Sequence, residues 1–380
     1  MIKVAHVMRS YLPQPETFIW QYLHMFKTVY PIVIAESLQN LDQFRLHRGK
    51  SYRSYGPRLT LPWVADNWYR RVMNQQHGYV ARIMRKEGIK VIHAHFGHMG
   101  CKYLALSISL KLPLITNFYG YDLSIRDVIK ERQSEYCELF EKGTSFFVEG
   151  PFMKEQLVSL GCPEEKISIQ RIALDLTAYT FKARRSNGSR PVKLLFVGRF
   201  VEKKGLKYAL KAISKVKKEL AFQFRIIGGG ELEKPLRALT HDLGLNKEVV
   251  WLGMKPHKEV IEELNACDIL IQPSVTARNG DSEGGAPTII LEAQACGIPV
   301  ISTTHADIPY ITCPNESALL SPERDIEGLI NNIRLVFDNS DLWPTMGTKG
   351  RKHVEKFHDV RKEVAVLENI YKNSVLQKSS

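Results

Sequence analysis

Four charged residues in the second half of the chain could act together: Arg199, Lys204, Glu283 and Glu292. Arg199 follows an apolar, strand-like run and Lys204 precedes a helical pattern, with Gly198 and Gly205 beside them. Two cations at the mouth of a strand-to-helix loop suit a diphosphate, arginine through a pair of parallel N–H donors. Glu283 and Glu292 belong to the stretch 279–300, in which Gly284 and Gly285 let backbone N–H groups approach a ligand. Ala286, Pro287 and Thr288 then open a helix, with Pro287 in the first turn, where a missing N–H costs nothing. Glu292 follows Thr288 by four residues and shares its face. A helix N-terminus is a ready anion site. Carboxylates beside it are poor company for phosphate unless they hold neutral hydroxyls. The set therefore points to a sugar nucleotide, with phosphates on the cations and helix end and hydroxyls on the glutamates.

Positioning such a set needs strands that end at one edge, and the chain supplies them. Short β-branched runs alternate with helical patterns throughout, which predicts a parallel α/β architecture. Strands are expected at 2–7, 30–35, 91–93, 114–117, 145–148 and 167–169, with helices near 17–26, 67–86, 99–109, 125–141 and 153–160. After the polar, turn-rich break at 181–191, strands are expected at 192–197, 222–227, 249–252, 269–272 and 298–302. Helices are expected there at 205–220, 231–243, 258–266, 326–337 and 351–371. The reading is two Rossmann-like domains, 1–186 and 187–355, facing across a cleft, with 356–380 as a C-terminal helix.

Composition narrows the class. The net charge is +13, and residues 1–190 hold 27 Lys and Arg against 16 Asp and Glu, so the basic character belongs to the first half. Nucleic acid, an anionic membrane surface or an acidic substrate would each suit that charge, as would a plain solvated surface. The six cysteines are scattered without metal-ligand spacing, which reads as reduced thiols in a cytoplasmic protein without structural zinc. No apolar run approaches a bilayer span. The glycine run Gly228-Gly229-Gly230 lacks the spacing of a dinucleotide fingerprint and reads as a strand end near the bound nucleotide.

Gly198-Arg199 through Lys204-Gly205, Gly228-Gly229-Gly230-Glu231, Trp251-Leu252-Gly253, the Glu283 loop and Glu292 through Val300 follow one another in order. This succession resembles the second domain of glycosyltransferase family 4, the retaining transferases of the GT-B fold. The resemblance implies that Arg199 and Lys204 contact the donor diphosphate, Glu292 the ribose and Glu283 the donor sugar. Gly198, Gly229, Gly253, Gly284, Gly285, Ala286, Pro287 and Thr288 would complete the donor site. The spacing departs from the family pattern: eight residues, not seven, separate the two glutamates. Strict counting would put the first acid at Gly284. Reading Gly284-Gly285 as a one-residue loop extension leaves Glu283 in place, with Asp281 as the alternative.

The first half resembles the family less closely. Tyr11 through Ile19, with Glu16 and Thr17, is similar to a loop of exopolysaccharide and colanic-acid-type transferases. Glu16 and Thr17 would open the next helix beside the cleft, and simple capping by Thr17 is the competing reading. His95 ends a strand, as a cleft contact or as a structural imidazole. Tyr119 and Asp122 stand where relatives carry His-Gly-x-Asp, and a phenol cannot replace imidazole as a base near neutrality. Asp122 would hold the loop or touch the acceptor. Residues 61–86 mix Trp63, Trp68 and Tyr69 with Arg70, Arg71, Arg82, Arg85 and Lys86. That mixture suits an anionic membrane surface, or an apolar face packed on the sheet.

The implied function is a retaining transfer from a nucleoside-diphosphate sugar to a glycan acceptor, lipid-linked, in surface exopolysaccharide or lipopolysaccharide assembly. The protein would be cytoplasmic, peripheral on the inner membrane face. No Asp-x-Asp motif is present, so neither a catalytic metal nor a cofactor is expected. A GT-B sugar-nucleotide epimerase is one alternative. A non-catalytic nucleic-acid binder is another, weakened because the cations do not interleave with stacking aromatics.

Overall fold

The computed structural model describes residues 1–11, 17–55, 78–186, 188 and 190–376, the side chain of Thr17 excepted. Glu16 and residues 61–77, with Trp63, Trp68, Tyr69, Arg70 and Arg71, lie outside them. The first sheet holds β1 (Ile2–Tyr11), β2 (Val29–Leu38), β3 (Lys50–Arg53), β4 (Val91–His95), β5 (Leu114–Asn117), β6 (Ser145–Val148) and β7 (Ile167–Ile169). Its order is β3-β2-β1-β4-β5-β6-β7, and its neighbours pair in parallel. The second sheet holds β8 (Val192–Val197), β9 (Phe222–Ile227), β10 (Val249–Gly253), β11 (Ile269–Gln272), β12 (Val300–Thr303) and β13 (Ala318–Ser321). Its order is β10-β9-β8-β11-β12-β13, again parallel. Each sheet reverses direction of growth once, between β1 and β4 and between β8 and β11, the switch points where such sheets bind ligands.

Helices cover the faces. In the first half they are α1 (Thr17–Met25), α2 (Gly78–Glu87), α3 (Gly97–Ser109), α4 (Tyr121–Ser124), α5 (Arg126–Lys142) and α6 (Pro151–Ser159). In the second they are α7 (Leu206–Val216), α8 (Glu233–Asp242), α9 (His257–Ala266), α10 (Thr288–Ala295), α11 (Ile308–Ile311), α12 (Ile326–Asp338), α13 (Trp343–Phe357) and α14 (Val360–Leu376). Runs such as Leu194-Leu195-Phe196 are buried to 0% exposure because helices close both faces of the sheet. On α2, Val80, Ala81, Ile83 and Met84 join the first core while Arg82, Arg85 and Lys86 face solvent. The apolar side of that helix is therefore sheet packing and is not open to a bilayer.

Three departures from the sequence reading have physical causes. Strand β3, Lys-Ser-Tyr-Arg, is a short polar edge strand without an apolar run. Strand β13, Ala-Leu-Leu-Ser, is an edge strand without a β-branched residue. The helix expected at 351–371 is two helices. Val360 N–H donates to the Leu174 carbonyl (3.0 Å) and Leu174 N–H to the His358 carbonyl (2.8 Å), so the second crossing between the sheets pairs with the first. Asp359 restarts the helix by accepting from Arg361 N–H at 2.9 Å.

The two crossings exchange packing partners. Ile172, Leu174, Leu176 and Tyr179 lie in a core with β8, β11 and α10, whereas Ala173 packs with the first sheet. Val354 belongs to the second core, and Val360, Val364, Leu367 and Tyr371 of α14 pack with β1 and α1 of the first. The strand C-termini of the two sheets meet: a side chain at Gly284 would come within 2.5 Å of the Gly120 Cα.

Candidate active site

The donor-side residues collect at the switch point of the second sheet. Gly198 follows β8, Gly229 follows β9 and Gly253 ends β10. They stand side by side through Gly198 N–H to the Ile227 carbonyl (3.0 Å), Phe200 N–H to the Gly229 carbonyl (2.8 Å) and Gly228 N–H to the Gly253 carbonyl (2.9 Å). Arg199 is exposed at this edge. The side chain of Lys204 runs back beside Gly198, with Cδ 3.4 Å from where a Cβ would stand. Lys204 Nζ then reaches Glu283 Oε2 at 2.6 Å.

Glu283, not Gly284, carries the acid at this point of the loop. Gly284 has φ +78, and its position against Gly120 leaves no room for a side chain. The Glu283 side chain is 4% exposed and also accepts from Ser274 Oγ at 2.6 Å. Burial raises its carboxyl group, but Lys204, Lys203 and Ser274 outweigh that and hold it below the usual range. Asp281 faces a different lysine, Lys203, at 2.9 Å, and Lys203 also donates to the Ser282 carbonyl at 2.7 Å. The two acids are thus sorted onto two adjacent lysines.

A further pair fixes the loop from behind. Glu283 N–H donates to His305 Nε2 at 3.1 Å, so that nitrogen is the acceptor and Nδ1 carries the proton it shares with Glu323 at 2.6 Å. Burial opposes the charge on Glu323, yet His305 and the Thr276 N–H bring its carboxyl group down to about 2. Pro287 stands just before α10, and its carbonyl accepts from Ile290 N–H at 3.1 Å. Ala286 is buried and Thr288 half-buried at the helix start. Glu292, one turn on, is buried apart from one edge and lies 3.4 Å from His257 Nε2. That contact raises the His257 pKa against the opposing effect of burial.

The acceptor-side residues are arranged differently. His95 is 4% exposed and sits in a stack of rings: His93 at 4.6 Å and 14°, Tyr119 at 6.0 Å and 7°. Its Nδ1 bonds Tyr119 Oη at 2.7 Å and its Nε2 bonds His6 Nδ1 at 3.1 Å. His93 bonds Asn117 and Tyr371. Burial lowers all three imidazoles, His93 to about 4, so they are neutral at pH 7. Five of the six ring nitrogens in this cluster are hydrogen-bonded already, and one nitrogen from each ring lies within 4.8 Å of the other two. A metal ion there would have to replace hydrogen bonds that the rings already make. Asp122 is fully buried and accepts from Gly97, Tyr119 and Gly120 N–H at 2.8, 3.1 and 3.1 Å. Those bonds hold the β5 loop, which is one of the two roles open to Asp122 from sequence. Burial outweighs them and pushes its carboxyl group up to about 6.

Several site residues escape the sequence reading. Lys203, Ser274, His257 and His305 have polar neighbours that only the fold supplies. Glu149, at the end of β6, is 7% exposed and accepts from Gly285 N–H at 3.1 Å. In the reverse direction Asp307, next to α11, accepts from Phe152 N–H at 2.8 Å, at the start of α6. An acid directly after an apolar strand, ahead of Gly150-Pro151, is the one local signal that marks Glu149.

The family described as "Glycosyl transferases group 1" matches residues 180–353. The putative colanic acid biosynthesis glycosyltransferase WcaL of Escherichia coli (strain K12) is 34% identical over 293 residues, 76% of this chain and 70% of that protein. That of Salmonella typhimurium is 37% identical over 243 residues, 63% of this chain but only 59% of that protein. The crystal structure of Anabaena Alr3699/HepE in complex with UDP and glucose has a TM-score of 0.77 at 14% identity, over 98% of this chain and 100% of that one. At that identity the likeness speaks for the fold alone, two Rossmann-like domains in the GT-B arrangement. With the fold, the ordered motifs and the relatives in agreement, the chain belongs to the group 1 glycosyltransferases.

Proposed function

We propose that this chain is a retaining glycosyltransferase that moves a sugar from a nucleoside-diphosphate donor to a glycan acceptor in surface polysaccharide assembly. The observation that carries the reading is the meeting of Lys204, Glu283, the Gly284-Gly285 backbone and the start of α10 at one switch point. Lys204 and Arg199 would take the diphosphate, whose departure builds negative charge that fixed cations and a helix end stabilise. Glu283 would pass from Lys204 to a sugar hydroxyl, and Glu292 from His257 to the ribose. The acceptor hydroxyl would attack on the leaving-group face, with the departing phosphate oxygen taking its proton. No side-chain base is then required, in keeping with Tyr119 in place of an imidazole. The relatives' printed roles in colanic acid biosynthesis support an exopolysaccharide product.

A lipid-linked acceptor at the inner membrane face fits the basic first half. Arg82, Arg85 and Lys86 present charge from α2, so attachment would be electrostatic, without insertion of that helix. Among the described residues no helix is long and apolar enough to cross a membrane. The test is incubation with a panel of nucleotide sugars and a lipid-linked glycan extract. A lengthened glycan supports the reading. Interconversion of free nucleotide sugars without glycan product would assign the site to an epimerase instead.

A further inference from the structure

Glu149 and Gly285 come from different domains, and their contact is too close to be incidental. Gly285 N–H donates to Glu149 Oε2 at 3.1 Å, and a Cβ on Gly285 would stand 2.4 Å from that oxygen and 2.6 Å from the Glu149 Cβ. Any residue but glycine would break the contact. Gly285 N–H lies two residues before the Pro287-Thr288 start of α10, the point at which the proposed donor oxygens would arrive. In the closed cleft that donor group is already engaged by a carboxyl oxygen of the same chain. The neighbouring amides are engaged as well: Gly284 N–H by Ser282 Oγ at 3.2 Å and Glu283 N–H by His305. Of the three acceptors, Glu149 alone belongs to the other sheet and leaves when the domains part.

The rest of the Glu149 environment fits a group that must be released. Asp307, Asp122 and Glu283 surround it, and burial together with these acids pushes its carboxyl group well above the ordinary range. Its one backbone N–H donor offsets only part of the cost of holding a fourth carboxyl group in a seam that already has three. The same side chain lines a small cavity with Tyr22, His95 and Tyr119 on the acceptor side.

We propose that Glu149 is a positioning residue that holds the donor loop in its unloaded register, occupying the Gly285 N–H until a phosphate or sugar oxygen of the donor displaces it. This inference rests on the donor site proposed above. Donor entry and the Glu149–Gly285 bond are then mutually exclusive, and the bond sets part of the cost of binding.

The test uses the full chain and titrates UDP and GDP separately by calorimetry. Glu149→Met keeps the volume and removes the acceptor atom, Glu149→Ala removes both, and Glu149→Gln keeps a neutral oxygen for the N–H. For whichever nucleotide the wild type binds, the Met and Ala variants are expected to bind about fivefold tighter, the scale of one net hydrogen bond, while Gln matches the wild type. Affinity in Glu149→Met that is unchanged or weaker, with a wild-type unfolding temperature, overturns the proposal. Should Ala fail to fold, Met and Gln carry the test between them. If wild type and variants alike bind neither nucleotide, the donor-site reading itself fails and takes this inference with it.

Discussion

Glu283 and Glu149 flank the same pair of glycines, yet the protein holds their carboxyl groups in opposite ways. Glu283, on the donor side, is buried against two lysines and a serine hydroxyl and is kept ionised. Glu149, on the seam, is buried among other acids with one backbone N–H, and its carboxyl group is pushed well above the ordinary range. The same contrast separates Glu323, drawn down to about 2, from Asp122 and Asp307, each pushed up to about 6. The donor site is a set of charge pairs that a charged ligand can rearrange. Where the domains meet, burial pushes the carboxyl groups of Asp122, Glu149 and Asp307 up and lowers the imidazoles of His6, His93 and His95, so that both kinds of group are shifted toward their neutral forms.

The largest way to break this comparison is to strip the donor side of its cation. Lys204→Ala leaves Glu283 buried with its ion pair lost, a change that costs about 3 kcal/mol in buried pairs of this type. Chemical denaturation should show that loss, and Glu283→Gln added to Lys204→Ala should restore most of it.

The seam should respond to pH in the opposite sense from the donor side. Asp122 has a folded pKa of about 6 against an ordinary value of 3.8, so the folded state holds its proton more tightly than the unfolded one. The stability it contributes is complete below about pH 4 and disappears as pH rises through 6, by about 3 kcal/mol in full, of which about 2 kcal/mol is lost between pH 4.5 and 7.5. Denaturant midpoints at pH 4.5 and 7.5 should differ in that direction in the wild type and by less in Asp122→Asn. Glu323, with its folded pKa lowered, contributes stability above its unfolded value that is lost as pH falls toward 2.

Smaller effects sharpen the picture. Tyr119→Phe leaves His95 Nδ1 buried without its 2.7 Å partner and should cost about 1 kcal/mol. If it costs nothing, the stack is not held by that bond. His257→Ala removes a half-exposed partner of Glu292 across 3.4 Å, and should cost about 0.5 kcal/mol at most. Its nucleotide affinity should change by no more than about threefold on that scale.

How far each region could be read in advance follows the same line. The donor side was legible because its chemistry is local: Lys204 between a strand and a helix, Glu292 four residues after Thr288, glycines where backbone must approach a ligand. The sequence leaves Glu283 and Asp281 both open as the first acid; the structure adds that Gly284 sits at positive φ where no side chain fits and that the two acids face different lysines. The broken 351–371 helix was not legible, because its cause is a carbonyl of Leu174, remote in sequence. Glu149 is hidden for the same reason. Its partner, Gly285, lies on another domain, so the one local signal, an acid directly after an apolar strand, marks its place without its partner. Asp122 could be located but not assigned, since three backbone N–H groups rather than a ligand take its oxygens.

In the proposed function, the second sheet's switch point binds a nucleoside diphosphate through Arg199 and Lys204. Thermal unfolding with UDP, GDP and their sugar conjugates tests this most directly, because a ligand that binds only the folded state raises the unfolding temperature by mass action. The account predicts that at least one nucleotide protects the wild type and fails to protect Arg199→Ala, Lys204→Ala protein. Equal protection of both proteins would contradict it.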